Sequence, residues 1–204
     1  MVLIGMLDSP YVRRVAVSMK LMGVPFEHRA VSVFRHMDEF RKVNPVVKAP
    51  SFICDDGTVL MDSTLILDYI EATLPAGKRL MPGAIDARRE ALHLLGFALA
   101  AADKAVQIVY EKQQRPKEKL HEPWLRRVID QTHAAFGELE RAAVGARPWL
   151  QGERPTAADV MTACAWRFGQ FYNSGEIPAA SYPALVAYSD RAEALPEFSS
   201  TPLD

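Results

Sequence analysis

The spacing of apolar residues changes character once along this chain, near Pro82, and that change limits the possible folds more than any other feature. The first 75 residues alternate short β-type runs with helical patterns, whereas everything beyond Pro82 reads as long helices with no convincing strand. Residues 2–6 have the look of a buried strand. Ser9-Pro10 then opens a helix whose apolar positions Val12, Val15, Ala16 and Met19 follow helical spacing, and Gly23-Val24-Pro25 stops it. Residues 26–31 read as a second strand, Met37–Val43 as a short helix, and Asn44-Pro45 as a turn. This strand, helix, strand order implies a parallel crossover. Residues 51–54 and Val59–Met61 are short strands joined by Asp55-Asp56-Gly57, a hairpin signal that makes them antiparallel. Asp62-Ser63 starts a helix carrying Leu65, Ile66, Tyr69 and Ile70, which ends at Leu74-Pro75. The order is βαβ followed by ββα.

The second half begins after a linker containing Gly77, Lys78 and Arg79. From Asp86 to about Arg115, Leu92, Leu95, Leu99, Ala102, Val106 and Val109 step by three and four, as in antiparallel helix pairs. Leu125, Val128, Thr132, Ala135, Leu139 and Ala142 repeat the pattern, so two long helices are expected side by side. Residues 160–172 lack a strongly polar face apart from Arg167 and Gln170, which predicts a helix enclosed by its neighbours at the centre of this half. Thr156-Ala157-Ala158-Asp159 has the form of a capping box in front of it. The expected organisation is an α/β domain over residues 1–75, a linker over 76–85 and an all-helical domain over 86–204.

Composition removes several function classes. Lys and Arg number 24 against 25 Asp and Glu, so the summed charge leaves no footprint for nucleic acid or an anionic membrane. The apolar start at residues 2–7 is short, has no basic residue ahead of it and meets Asp8, which suits a strand better than a leader. The longest uncharged stretch near the middle, residues 91–102, falls well below the roughly 20 residues that span a bilayer. A soluble protein is expected. The two cysteines, Cys54 and Cys164, are far apart and suit a reducing cytoplasm, with neither a disulfide framework nor a zinc site. Five histidines without metal spacing give no reason to expect a metal. Small-molecule chemistry or protein partners remain.

Three short motifs can carry chemistry. Ser9, between a strand end and Pro10, is in the first place an N-cap whose oxygen accepts a backbone N–H. A hydroxyl at a helix N-terminus can also donate to an anion, and the free N–H groups and macrodipole there favour a thiolate. A free thiol has a pKa of about 8.5, and each unit of depression is worth about 1.4 kcal/mol. In Lys48-Ala49-Pro50, proline holds Ala49 extended, leaving its backbone groups available to an added peptide. The sequence itself offers no reason to expect a cis bond there. Asp62-Ser63 caps a helix, and an acidic side chain beside free N–H groups and a hydroxyl can also hold the ammonium and carboxylate of a zwitterion. Cys54 and Cys164 read as packing residues.

Taken in order, Ser9-Pro10-Tyr11-Val12-Arg13-Arg14-Val15, Asn44-Pro45, Lys48-Ala49-Pro50, Asp62-Ser63 and Thr156-x-x-Asp159 resemble the cytosolic glutathione transferases across nearly the whole chain. The resemblance implies a thioredoxin-like first domain, of βαβββα type, followed by a helical-bundle domain. It implies a transferase in which Ser9 donates to the sulfur of glutathione, as in serine-type members of the tau, theta and zeta kind. Pro50 would be the cis-proline, and Ala49 would pair its backbone with the cysteinyl unit. Lys48 would lie near the glycyl carboxylate, and Asp62 and Ser63 would hold the γ-glutamyl end. The acceptor pocket for a small hydrophobic electrophile would lie between the domains, with Tyr11, Phe97, Ala101, Tyr110 and Trp166 as candidates. The same resemblance implies a cytoplasmic homodimer with a detoxifying role, glutathione as cosubstrate and no metal. Where omega-like and beta-like relatives carry cysteine, this chain has Ser9, so a mixed disulfide at that position is not open to it. Glutathione-dependent isomerase, dehalogenase or peroxidase chemistry would use the same site, and a non-catalytic binding protein on this fold is the alternative of another class.

Overall fold

In a computed structural model that describes residues 1–203, the N-terminal strand segments form β1 (Val2–Ile4), β2 (Glu27–Arg29), β3 (Ser51–Ile53) and β4 (Val59–Met61). They make one sheet in the order β2-β1-β3-β4. β1 pairs with β2 in parallel, with Leu3 opposite His28, and with β3 antiparallel, with Leu3 opposite Phe52. β3 and β4 are antiparallel, as the hairpin signal requires. β1 sits in the interior of the sheet, and Leu3, Ile4 and Phe52 are buried. β2 is shorter than the strand expected over residues 26–31 because the backbone turns at its end, where the Val31 N–H donates to the Arg29 carbonyl at 3.0 Å.

Three helices complete this part of the chain: α1 (Pro10–Met22), α2 (Met37–Val43) and α3 (Ser63–Ala72). α1 is rich in β-branched residues, whose helix propensity is modest. Burial of Val12, Val15, Val17 and Met19 offsets that deficit, since each buried aliphatic side chain is worth about 1.5–3 kcal/mol. The helix stops where Gly23 takes a left-handed φ of 69° and donates its N–H to the Lys20 carbonyl.

The chain forms two units: Met1–Met81 together with the segment from Leu195 onward, and Pro82–Ala194. The first unit therefore runs a few residues past position 75, and the C-terminal segment belongs to it rather than to the helical domain expected over 86–204. Two cations of α1 hold that segment there: Lys20 Nζ donates to the Ser200 carbonyl and hydroxyl, and Arg13 is 1% exposed. Its Nε donates to the Thr201 carbonyl at 2.8 Å and its Nη2 to the Phe198 carbonyl at 3.3 Å, with the guanidinium over the Phe198 ring. A cation at the end of the short terminal helix, α8 (Pro196–Ser199), satisfies carbonyls that a helix end leaves without partners.

The second unit contains α4 (Ile85–Val109), α5 (Glu122–Val144), α6 (Ala157–Asn173) and α7 (Pro183–Glu193), with a π-helical turn at Tyr110–Gln114 after α4. α6 is its centre, buried from Ala157 through Trp166. The Thr156 and Asp159 capping box is present, and the Asp159 carboxylate also accepts from Leu150 N–H and the Tyr188 hydroxyl. The seam on α5 lies where its spacing places it, except that Ala143 rather than Ala142 is buried. On α4 the expected seam is buried at Leu95, Ala102 and Val109 and exposed at Leu92, and the buried stripe is broader, with Ala91, Ala98, Ala101 and Ala105 beside Leu94 and Ile108. Small residues on that stripe let α5 and α6 approach closely. The helical run 85–114 is long and apolar enough by composition to cross a membrane, but in this unit its apolar stripe is covered by α5 and α6.

Candidate functional site

Ser9 is the N-cap of α1, in extended conformation, with Pro10 opening the first turn. Its Oγ accepts the Val12 N–H at 3.4 Å, a long bond for this donor. The hydroxyl hydrogen finds no protein acceptor among the described residues, and the side chain is part-exposed. The first turns of α1 carry no acidic residue, and Arg13 and Arg14 lie buried within them. The free N–H groups and macrodipole at the start of α1 make the position of Ser9 favourable to an anion.

The segment after α2 is fixed by the side chain of the residue that opens the Asn44-Pro45 turn. Asn44 is buried at the C-terminus of α2. Its Nδ2 donates to Ser51 Oγ at 2.9 Å and contacts Met61 Sδ at 3.4 Å, while its Oδ1 accepts the Val46 N–H at 3.0 Å. Ser51 Oγ in turn donates to the Lys48 carbonyl at 2.9 Å. The loop from 44 to 51 is thereby tied to β3 and β4 along its length. Within it Val47 has a positive φ of 54° and the Ala49-Pro50 bond is cis. Gly5, just past β1, brings this loop and α1 together. Its φ is 141°, and a Cβ there would stand 2.6 Å from Val12 Cγ2 and 3.2 Å from Ala49 Cβ. Only a residue without a side chain admits so close an approach.

Asp62 caps α3 through Oδ1, which accepts the Thr64 N–H at 2.9 Å. Its φ is 74°, a conformation costing a non-glycine residue of order 1–3 kcal/mol, and such outliers concentrate at ligand sites. Its other oxygen, Oδ2, lies 3.7 Å from Lys48 Nζ, a pair in which both side chains are about half exposed. Ser63 is buried beside it and accepts from Arg14 Nη1 at 3.2 Å, the same nitrogen reaching Thr64 Oγ1 at 3.1 Å. Arg14 is 2% exposed and adds positive charge beneath the first turn of α3. A helix N-terminus backed by a guanidinium can hold a carboxylate, and the neighbouring Asp62 can hold an ammonium, so this end of the unit can bind a zwitterion.

The remaining candidates divide between the two units. Tyr11 is half-buried on α1. In the helical unit, Phe97 packs edge-on to His93, and Tyr110 is exposed at the start of the π-helical turn. Ala101 and Trp166, at 0% and 3% exposed, are core residues, the latter edge-on to Phe136 and Tyr182. A shallow open depression on α5, lined by Arg126, Arg127 and Asp130 among others, contains none of the candidates. No group of three or more potential metal ligands occurs among the described residues. Asn44 and Arg14 belong to motifs quoted above but were given no role of their own, and Gly5 belongs to none. A glycine at a strand end before a helix cap, and an arginine on the buried face of a helix, are the sequence signals available for Gly5 and Arg14.

The glutathione S-transferase N-terminal domain pattern matches residues 3–78, and the C-terminal domain pattern matches residues 122–191. A maleylacetoacetate isomerase from Pseudomonas aeruginosa is 26% identical over 196 residues, covering 91% of this chain and 87% of that protein. Among solved structures, a glutathione S-transferase from Methylobacterium radiotolerans in complex with glutathione sulfonate superposes with a TM-score of 0.87 at 26% identity, over 98% of this chain and 93% of that one. A glutathione transferase family member from Pseudomonas fluorescens Pf-5 with bound S-(propanoic acid)-glutathione gives 0.81 at 29% identity, over 98% of both chains.

Proposed function

The chain belongs to the glutathione transferase family, and on that premise we propose that its first unit binds glutathione and holds it as the thiolate for attack on a small hydrophobic electrophile. The observation that carries this is the Ser9 hydroxyl, part-exposed and, among the described residues, without an acceptor for its hydrogen, at the N-terminus of α1 where Gly5 brings the Ala49 loop against that helix. A thiolate set there accepts the Ser9 hydrogen and faces the free end of α1, and both favour loss of the thiol proton to water. With an aryl halide, the sulfur lone pair forms the new C–S bond and halide leaves with the electrons of the broken C–X bond.

Ala49 offers its backbone to the cysteinyl unit. Asp62 takes the γ-glutamyl ammonium, and the N–H groups of α3 with Ser63 take the adjoining carboxylate. Lys48 is paired with Asp62, an exposed ion pair worth at most about 1 kcal/mol. The incoming ammonium replaces it, which frees Lys48 for the glycyl carboxylate. Of the residues offered for the acceptor, Tyr11 in the first unit and Phe97 and Tyr110 in the second have surface to offer, whereas Ala101 and Trp166 have theirs committed to packing. Val59, Met61, Leu65 and Tyr69 leave an apolar face of β4 and α3 exposed, which supports a homodimer. Two buried cysteines outside any disulfide fit a reducing cytoplasm, and a detoxifying role follows from the acceptor class.

The test is calorimetry with glutathione followed by turnover of a generic aryl halide. Saturable binding with thioether formation supports the proposal, and absence of binding by folded protein overturns it. Light scattering giving only a mass near 23 kDa at micromolar protein would count against the dimer. A second reading has specific support, since the Pseudomonas aeruginosa relative that matches along 91% of this chain is a maleylacetoacetate isomerase. There the same thiolate would add to an activated double bond and leave after rotation about the resulting single bond. Cis–trans conversion of such a diacid, without net consumption of glutathione, distinguishes the two.

A further inference from the structure

β1 and β2 form a parallel ladder whose rungs can be followed to its end. The Gly5 N–H donates to the Arg29 carbonyl at 3.1 Å. The alternation of a parallel pair makes the next rung a bond from the Val31 N–H to the Gly5 carbonyl. That rung is missing because the Val31 N–H turns back to Arg29 O. In its place the ring of His28, half-buried on β2, brings Nε2 to 2.8 Å from the Gly5 carbonyl. A carbonyl can only accept, so Nε2 carries the hydrogen, whatever the protonation of the other ring nitrogen. One imidazole thus does what the strand's own backbone has stopped doing, at the residue that packs between Val12 and Ala49.

We propose that His28 is a positioning residue for the transferase reaction: through the Gly5 carbonyl it sets the chain leading to Ser9 against the Ala49 loop, and so fixes the distance from the Ser9 hydroxyl to the bound thiolate. This rests on the functional reading above. Losing the donor leaves the Gly5 carbonyl without its partner and lets the strand end move. A hydrogen bond to a thiolate weakens steeply with misplacement, while the two charged ends of glutathione are held elsewhere. The effect therefore falls on thiol ionisation more than on affinity.

The experiment compares wild type with His28→Phe, which keeps a ring and removes the donor, and His28→Gln, whose Nε2 stands the same number of bonds from Cβ. The ionisation of bound glutathione is followed by thiolate absorbance against pH, beside the glutathione Kd and the thermal midpoint. The expected result is a bound-thiol pKa about one unit higher in His28→Phe, with turnover near neutrality about tenfold lower, the Kd within a few-fold and the titration restored in His28→Gln. A lowered midpoint with an unmoved titration curve would overturn the proposal and leave His28 a purely structural residue. If His28→Phe does not fold, His28→Met takes its place. Nitrogen NMR of the wild type provides a separate check, because a ring protonated only at Nδ1 rules out the Gly5 bond. A wild type that binds no glutathione overturns the functional reading itself, a result that does not depend on any His28 variant.

Discussion

Replacing Ser9 by alanine separates two roles that one hydroxyl fills. As a cap, Oγ accepts the Val12 N–H at 3.4 Å, and a bond this long places the stability cost at the low end of the N-cap range, about 0.5 kcal/mol. As a donor to a thiolate, the same group makes a hydrogen bond to a charge, worth about 1.5–3 kcal/mol. At about 1.4 kcal/mol per pKa unit, that corresponds to roughly one to two units of depression. Ser9→Ala is therefore expected to lower the thermal midpoint only slightly, to raise the bound-thiol pKa by one to two units, and to cut turnover at neutral pH by about 10- to 100-fold. Glutathione affinity should change less, because Asp62 and the first turn of α3 are untouched. The assay is thiolate absorbance and aryl-halide turnover over a pH series, with calorimetry and thermal unfolding on the same protein. Rates and titration matching wild type, with only the midpoint lowered, would refute the donor role and leave Ser9 a cap.

Three further outcomes follow from single features. Asp62→Gly accommodates the positive φ without strain but removes the carboxylate, so calorimetry should show glutathione binding weakened by about 1.5–3 kcal/mol while the fold stays close to wild-type stability. Gly5→Ala places a Cβ 2.6 Å from Val12 Cγ2 at a φ of 141°, and denaturant unfolding should report a loss of about 2 kcal/mol or more. Burial first, and then the adjacent Asp159 carboxylate, raise the Tyr188 hydroxyl well above its ordinary pKa of 10.0. A raised folded pKa means that the unfolded chain loses this proton first, so its stabilisation is complete below about pH 10 and declines as pH climbs above that value. Tyr188→Phe should lower the midpoint at neutral pH by losing the Asp159 bond, yet fall less steeply than wild type between pH 10 and 11.

Local chemistry decided much of this protein. Ser9-Pro10 and Gly23 fixed the ends of α1 through a cap, a preset φ and a left-handed stop, all contained within a few residues. Met37–Val43 and Val59–Met61 fell where apolar spacing put them, and Thr156 and Asp159 formed the capping box their spacing encodes. The ordered set of motifs was enough to identify the family, because each motif is a short-range device whose meaning survives without coordinates. The exact α4 seam was not legible in the same way. Leu92 and Leu95 share one face by spacing, yet Leu92 is exposed while Leu95 packs beside the alanine stripe, and which positions join the packed face depends on how closely α5 and α6 approach.

Tertiary structure alone decided the rest. Nothing near Arg13 in sequence says that its guanidinium is satisfied by carbonyls at Phe198 and Thr201, and so nothing local assigns the last residues to the first unit. The pairing of Lys48 with Asp62, the Asn44 bonds that hold the 44–51 loop, and the His28 ring standing in for a missing rung are likewise contacts between segments 7 to 23 positions apart. Such contacts exist only once the sheet order β2-β1-β3-β4 has brought strand ends together. A sequence states which side chains can donate, accept or carry charge. Which partner each one meets is a property of the closed chain, because a hydrogen bond acts over about 3 Å whatever the number of residues between its two ends.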